Sequence, residues 1–235
     1  MAHHETENFR SVYLDLQTSI AKACESAKRS ATEISLIAVT KTVPAARIAD
    51  FVSTTNHRDL GENYAQELCE KAEALASIPI RWHYIGQLQS NKIARIVKVA
   101  ASIQSVESIK HARFIHRYAA EFGKLPFPIY IAVNAGSEDQ KGGISGNEAL
   151  QLYKAIKSEF PELKVCGIMA IPPASFSDDG DLAMAVPELY SDLAQLARQI
   201  GDGKLSLGMS GDYKLAIKAG SQCLRIGSLI FGKRT

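Results

Sequence analysis

The sequence predicts an α/β protein, a single (β/α)8 barrel of the TIM type with one extra helix at its N-terminus. Three observations carry that reading. Apolar runs of strand character alternate with stretches of helical periodicity along nearly the whole chain, and such alternation forces parallel pairing through right-handed crossovers. The strand candidates number eight within about 200 residues, the count that closure into a barrel requires. The first strand runs into Val39-Thr40-Lys41-Thr42 without a glycine, so the fingerprint often found after the first strand of an open doubly wound sheet, the main competitor, is missing.

Each element follows from its pattern. Phe9, Val12, Tyr13, Leu16, Ile20 and Ala23 recur three or four apart and place a helix over 6–28. The β-branched run 34–41 is too continuous for a half-exposed strand and reads as one buried on both faces. Pro44 then stands where a helix can begin. Further strands are expected at 58–63, 80–86, 102–107, 128–134, 164–171, 204–210 and 223–231. Helices are expected between them at 44–54, 64–76, 88–100, 108–122, 147–160, 183–200 and 211–219. The clearest stripe is Leu189, Tyr190, Leu193, Leu196, Ala197 and Ile200, and Gly220 reads as the stop of the short helix before it. The irregular stretch 171–180 follows a strand and is a candidate loop over the barrel mouth. No stretch is long enough for a linker, so one domain over 1–235 is expected.

Composition narrows the class. Hydrophobic residues make up 46% and charged residues 22% of 235, which supplies a core and excludes a disordered chain. The net charge is +2, and no basic block exceeds Lys28-Arg29 or Lys233-Arg234, so a nucleic-acid partner is not indicated. Cys24, Cys69, Cys166 and Cys223 form no C-x-x-C pair, against both a disulfide framework and a zinc site. No apolar run approaches about 18 residues, and no signal-peptide layout opens the chain. A reducing, cytoplasmic location without membrane attachment is the expectation. His3-His4 reads equally as native or as a tag remnant and is set aside.

In such barrels the side chains at the carboxyl ends of the strands face the site. Those ends here carry Lys41, Asn63, His83, Asn134, Met169, Ser210 and Arg225. Lys41 is the sharpest: Leu36-Ile37-Ala38-Val39 delivers an amine toward the interior, where desolvation lowers its pKa and makes it a nucleophile for carbonyls. The bland alternative is a lysine snorkelling to solvent. Gly208-Met209-Ser210-Gly211-Asp212 offers small residues and a hydroxyl before a helix, and Gly227-Ser228 offers close backbone approach and a second hydroxyl on the next strand. Barrels often hold phosphate after strands seven and eight. Each motif alone also reads as a helix cap or a packing glycine. Arg225 lies in an apolar strand and needs an acceptor, either a ligand or a strand-end acid such as Glu62 or Glu107. Gly227 to Arg234 mimics the spacing of a P-loop, but an arginine follows Lys233 where Ser or Thr should. The histidines show no metal spacing. An imine-forming lysine, an anion cradle and an axial arginine suit a phosphorylated aldehyde, either pyridoxal 5′-phosphate or the substrate of a cofactor-free Schiff-base aldolase.

Several segments resemble the pyridoxal phosphate homeostasis protein family. They are Ala38-Val-Thr-Lys-Thr42, Gly61-Glu-Asn-Tyr-Ala-Gln-Glu67, Trp82-His-Tyr-Ile-Gly-Gln-Leu-Gln-Ser-Asn-Lys92, Gly167-Ile-Met-Ala-Ile-Pro172, Leu207-Gly-Met-Ser210 and Arg225-Ile-Gly-Ser-Leu-Ile-Phe-Gly232. They span residues 34–233 in the family's order. The resemblance implies a type III pyridoxal phosphate fold, a barrel like the N-terminal domain of bacterial alanine racemase, with the cofactor as a Schiff base on Lys41. It implies Ser210, Gly227 and Ser228 at the phosphate, Arg225 at the pyridine nitrogen, and Asn63, His83 and Met169 near the site. Gly142 and Gly211 depart from the family, which commonly has serine and aspartate there.

Members of that family are regarded as regulators of vitamin B6 pools without an established turnover reaction. In alanine racemase a second base comes from the partner subunit's C-terminal domain; here the chain ends at Thr235, three residues beyond the last barrel motif. A monomeric carrier that buffers the cofactor and hands it to apoenzymes is therefore expected, rather than an enzyme. The alternative is a low-activity racemase or lyase drawing a base from Tyr64, Tyr84 or the 171–180 loop.

Overall fold

The structure, a computed structural model, describes residues 2–136, 142–173 and 185–232. Eight strands alternate with helices in the order α1 (Ala2–Ser26), β1 (Ser35–Val39), α2 (Ala45–Thr55), β2 (Asp59–Glu62), α3 (Ala65–Ala74), β3 (Arg81–Tyr84), α4 (Ile93–Val99), β4 (Ser102–Val106), α5 (Ile109–Glu121), β5 (Phe127–Val133), α6 (Gly146–Glu159), β6 (Leu163–Ala170), α7 (Glu188–Ala197), β7 (Lys204–Ser206), α8 (Tyr213–Ala219), β8 (Cys223–Ile226) and α9 (Ser228–Phe231). The strands pair in sequence order, every pair is parallel, and β8 returns to β1 with Ile37 opposite Arg225. The expected (β/α)8 barrel with an N-terminal helix is the fold.

Alternation along the strands divides the core. Ala38 and Leu60 face outward into the layer between barrel and helices, with Ile48, Phe51 and Leu68. Ile37, Val39, Gly61 and Ile85 face inward: a Cβ on Gly61 would lie 2.8 Å from Ile37 Cγ2 and 3.3 Å from Ile85 Cδ1. Tyr130, Ala132, Cys166 and Met169 fill the β5–β6 side of the interior. The helix α1 docks its stripe of Phe9, Leu16, Ile20 and Ala23 on the outer layer. A 3-10 turn, Ala31–Glu33, joins α1 to β1 and is closed by a capping box between Ser30 and Glu33.

Most expected strands lose a residue or two at their ends, and two, β7 and β8, fall well short of their apolar runs. The run 223–231 leaves the sheet after Ile226, and the Phe231 N–H donates to the Gly227 carbonyl (2.9 Å) in the turn of α9. That turn swings the Phe231 ring into an edge-on cluster, 5.8 Å from Phe9 and 5.1 Å from Phe51 between ring centroids. A short apolar run reads alike as strand or buried helix, so periodicity alone could not separate them. The run 204–210 stops at Ser206 because Gly208 takes a left-handed φ of 105°, where a Cβ would also meet Ala216 Cβ at 2.7 Å. Residues 174–180 of the candidate mouth loop and the pair Lys233-Arg234 lie outside the described residues. Among the described residues no helix is long and apolar enough to cross a membrane.

Candidate functional site

Lys41 leaves the barrel directly after β1, half-buried, and both flanking residues are fixed. The Thr40 N–H donates to the Gly61 carbonyl (2.9 Å) and the Val43 N–H to the Thr40 carbonyl (2.9 Å). Thr42 adopts φ 64°, a left-handed conformation that is unfavourable for a β-branched residue and survives only where surroundings impose it. Here the Thr42 N–H donates to Glu67 Oε2 (2.8 Å). Lys71 on α3 completes the arrangement, its Nζ donating to the Thr40 carbonyl, Glu62 Oε1 and Glu67 Oε2, each at 2.7 Å. Thr40 Oγ1 also donates to Glu62 Oε1 (2.6 Å). Burial pushes the Glu62 pKa up against the pull of Lys71 and Thr40. For Glu67 burial pushes the same way, but the hydrogen bonds from Lys71 and Thr42 outweigh it and the pKa is lowered.

A cavity of about 310 Å³ opens beside this segment, lined by Lys41, Thr42, Arg47, Gly227 and Ser228 among others. Ser210 is tied to the same region, because its Oγ accepts the Leu229 N–H (3.4 Å) in the turn of α9. The loop carrying Ser210 is pinned by buried Asp212, which accepts the Met209 N–H (2.6 Å) and the Tyr190 hydroxyl (2.5 Å). Gly227 sits tightly on β1, where a Cβ would be 3.3 Å from the Val39 carbonyl oxygen. The amine and the hydroxyl-bearing loops after β7 and β8 are thus neighbours.

Arg225 is 4% exposed. Its partners are neutral: Nη1 donates to Ser206 Oγ (2.7 Å) and Nη2 to the Ala170 carbonyl (2.8 Å). Ser206 Oγ in turn donates to Gln104 Oε1 (2.7 Å) across the interior. Neither Glu62 nor Glu107 pairs with this guanidinium, and burial draws its pKa down.

Asn63 and Met169 line a second opening of about 170 Å³ at the ends of β2 to β6, together with Ser105, Glu107 and Gly142. Gly86 secures Asn63, since a Cβ there would lie 1.7 Å from the Asn63 carbonyl oxygen. Asn134 is held back in its own turn, its Oδ1 accepting the Gly136 N–H (3.3 Å).

His83 is placed elsewhere. Its ring is hydrogen-bonded through Nδ1 to Ser102 Oγ (2.7 Å) and through Nε2 to Asp59 Oδ1 (2.9 Å), toward the amino ends of β4 and β2. Arg81 forks onto the same carboxylate. Burial alone would raise the Asp59 pKa, but the hydrogen bonds and charges of His83 and Arg81 outweigh it and bring it to about 2 from an ordinary 3.8. A folded pKa below the unfolded one gives stability that is complete above about pH 4 and lost as pH falls toward 2. Asp59→Asn is expected to flatten that part of the acid-unfolding curve, read by circular dichroism.

Sequence reasoning missed Arg47, Ser105, Lys71 and Glu67. The Glu67–Lys71 spacing of four on a helix was a readable signal; the others depend on contacts between elements.

The barrel is matched by the family profile "Alanine racemase, N-terminal domain" over residues 15–235. The pyridoxal phosphate homeostasis protein of Caenorhabditis elegans is 38% identical over 209 residues, covering 85% of each chain. A structure of an unknown protein from Bifidobacterium adolescentis superimposes with a TM-score of 0.83 at 30% identity, covering 97% of this chain and 96% of that one. PipY of Synechococcus elongatus PCC7942, solved with PLP bound, superimposes with a TM-score of 0.71 at 29% identity over 91% of this chain and 100% of its own. With this fold, this lysine and these relatives, the chain belongs to the pyridoxal phosphate homeostasis protein family, built on the barrel of the alanine racemase N-terminal domain.

Proposed function

We propose that this protein binds pyridoxal 5′-phosphate covalently through Lys41 Nζ and serves cytoplasmic homeostasis of the cofactor as a monomeric carrier. The observation that carries the reading is the single cavity shared by Lys41, Arg47, Gly227 and Ser228, an amine and hydroxyl-bearing backbone on one wall-to-wall site. When bound, the group supplies an electrophilic aldehyde carbon and a dianionic tail. Lys41 would anchor the aldehyde, while Ser210, Gly227 and Ser228 would take the phosphate with Arg47 adding charge. Arg225, permanently cationic and fixed by Ser206 and Ala170, would keep the pyridine nitrogen unprotonated, which weakens the ring as an electron sink. Asn63 and Met169 would border the ring, whereas His83, bonded to Ser102 and Asp59 at the amino ends of the strands, would take no part in holding the cofactor.

A carrier role fits Tyr84 as well. The Tyr84 hydroxyl donates to the Gln87 carbonyl (2.9 Å), and burial pushes its pKa up to about 12, so it is a poor second base. The test is a loading and transfer assay. The protein should turn yellow with pyridoxal phosphate, lose the absorbance with borohydride, carry the reduced adduct on the Lys41 peptide, and reactivate recipient apoenzymes compared with free cofactor. Steady multiple turnover on a natural amino acid would overturn the carrier assignment, and an adduct on another lysine would overturn the site.

A further inference from the structure

We propose that a cavity at the amino-terminal rim of the barrel, opposite the mouth that holds Lys41, is a binding site for a small phosphorylated polyol of the sugar phosphate class. The cavity measures about 420 Å³. One wall is α1, whose Arg10, Tyr13, Leu14 and Gln17 are spaced three and four apart and so share one helix face. The other is the segment 54–58, which leads from the end of α2 into β2, followed by Asp59 and Arg81, the first residues of β2 and β3.

The lining carries an unanswered positive charge. Arg10, Arg58 and Arg81 border the cavity, and Asp59 is the one carboxylate among the described lining residues. Asp59 is already used: its Oδ1 accepts Arg81 Nε (2.8 Å) and His83 Nε2 (2.9 Å), and its Oδ2 accepts Arg81 Nη2. Arg58 has a neutral partner, its Nη2 donating to Asn56 Oδ1 (2.7 Å), and Arg10 stands exposed on α1. Two guanidinium charges therefore face one cavity without a counter-charge, and an anion is what that field draws in. The end of α2 does not invite a cation instead, because its Asp50, Phe51 and Val52 carbonyls accept Ser53 Oγ (3.0 Å), Thr55 Oγ1 (2.7 Å) and the Asn56 N–H (2.9 Å). His57 adds no further charge. Burial draws its pKa down, and in the neutral ring the hydrogen sits on Nε2, which donates to the Asp59 carbonyl (3.0 Å), while Nδ1 accepts the Tyr13 hydroxyl (3.0 Å).

Charge and volume together select the ligand. A phosphate monoester carries a charge of about −2 near neutral pH, which balances the two guanidinium groups, and the planar guanidinium fork grips phosphate oxygens in pairs. The 420 Å³ correspond to roughly 14 water volumes, far more than a bare phosphate fills. The rest of the lining is polar: Gln17, Thr54 and Asn56 offer amide and hydroxyl groups, and Leu14, 52% exposed, is the one aliphatic side chain among the described lining residues. A hydroxylated carbon chain suits those walls. A nucleobase does not, since the Tyr13 ring is engaged edge-on with Phe51 (5.8 Å between centroids) and tilted against His57 (5.4 Å) instead of forming an open stacking platform.

Calorimetric titration with ribose 5-phosphate, run on the protein before and after loading with pyridoxal phosphate, tests the site. Saturable binding of one affinity is expected in both states, weakened about tenfold or more by Arg10→Ala and by Arg58→Ala, the loss of one charged hydrogen-bond partner. Neither arginine belongs to the apolar layers, so both variants should keep the parent's circular dichroism spectrum. Ribose should not bind, and inorganic phosphate should bind about tenfold less tightly than its ester, having the charge without the hydroxyls. Absence of binding, or equal binding by the two variants, overturns the rim site. Binding that disappears on loading would place the phosphate at the mouth and overturns it as well. Ribose binding as tightly as its phosphate, or inorganic phosphate as tightly as the ester, overturns the choice of a phosphorylated polyol.

Discussion

Lys41→Ala is expected to abolish the yellow, borohydride-sensitive absorbance altogether while leaving the fold intact. The side chain is half-buried at the mouth and outside the apolar layers, so its truncation removes chemistry before it removes packing. An imine needs one amine in reach of the aldehyde, and the nearby Lys71 is no substitute. Its Nζ gives all three hydrogens to Thr40, Glu62 and Glu67, which leaves it an ammonium without a lone pair. Cofactor should still associate weakly through its phosphate, so Lys41→Ala would show residual, fully dialysable binding and an unchanged thermal midpoint. Ser228→Ala gives the contrast: the colour remains and affinity drops by about tenfold, as for one hydrogen bond to a charged group. Absorbance spectra before and after borohydride, with equilibrium dialysis, measure both. Retention of a reducible adduct in Lys41→Ala would remove the assignment of the anchoring amine.

The barrel was legible because each βα unit writes its own pattern: a continuous apolar run for a strand buried on both faces, then a stripe at helical spacing. Closure followed from the count. The ends of elements were less legible where Gly208 and Gly227 turn apolar runs out of the sheet, since the runs themselves do not change character there. In the site, Lys41, Gly227 and Ser228 could be read because strand ends face the mouth whatever the rest of the sequence does. Ser105 could not. The register between β4 and β5 shifts between Ile103 and Val106, so Gln104 reaches Ser206 across the interior while its neighbour Ser105 lines the mouth opening. Strict alternation would have sent them to opposite faces, and a bulge defeats it. Arg225 was read as needing an acceptor. Which acceptor it takes, a serine and a carbonyl instead of an acid, depends on β6 and β7 meeting β8 at that height.

Lys71→Met should be the most destabilising single change in the site, lowering stability by about 3–5 kcal/mol, the usual cost of stranding one partner of a buried ion pair, and the thermal midpoint by about 10 °C or more. The reasoning starts from Glu62, which is 0% exposed. Without the ammonium, its carboxylate keeps the Thr40 hydroxyl but loses its counter-charge. Burial already holds the folded pKa of Glu62 above its ordinary value in the parent; without the ammonium the folded state favours the protonated acid more strongly, so the variant gains more stability than the parent as pH falls toward the unfolded pKa. The parent's Asp59 gives the opposite slope on the acid side, so the two effects are distinguishable in one pH series. Glu62→Gln added to Lys71→Met should recover part of the loss, because the neutral pair no longer confines a charge in the interior; recovery in the double variant separates an electrostatic clamp from lost packing of the lysine stem. Glu67→Gln should cost less, since Glu67 is partly exposed and the amide oxygen can still accept the Thr42 N–H. Cofactor affinity should fall along with stability in Lys71→Met, for the peptide groups on both sides of Lys41 are the ones the clamp holds: Thr40 through its carbonyl, and Thr42 in its left-handed turn through Glu67. Thermal denaturation by circular dichroism across pH, with dialysis of the cofactor, measures each part, and a midpoint within about 2 °C of the parent, equivalent to under about 1 kcal/mol, would show that no buried charge was being held.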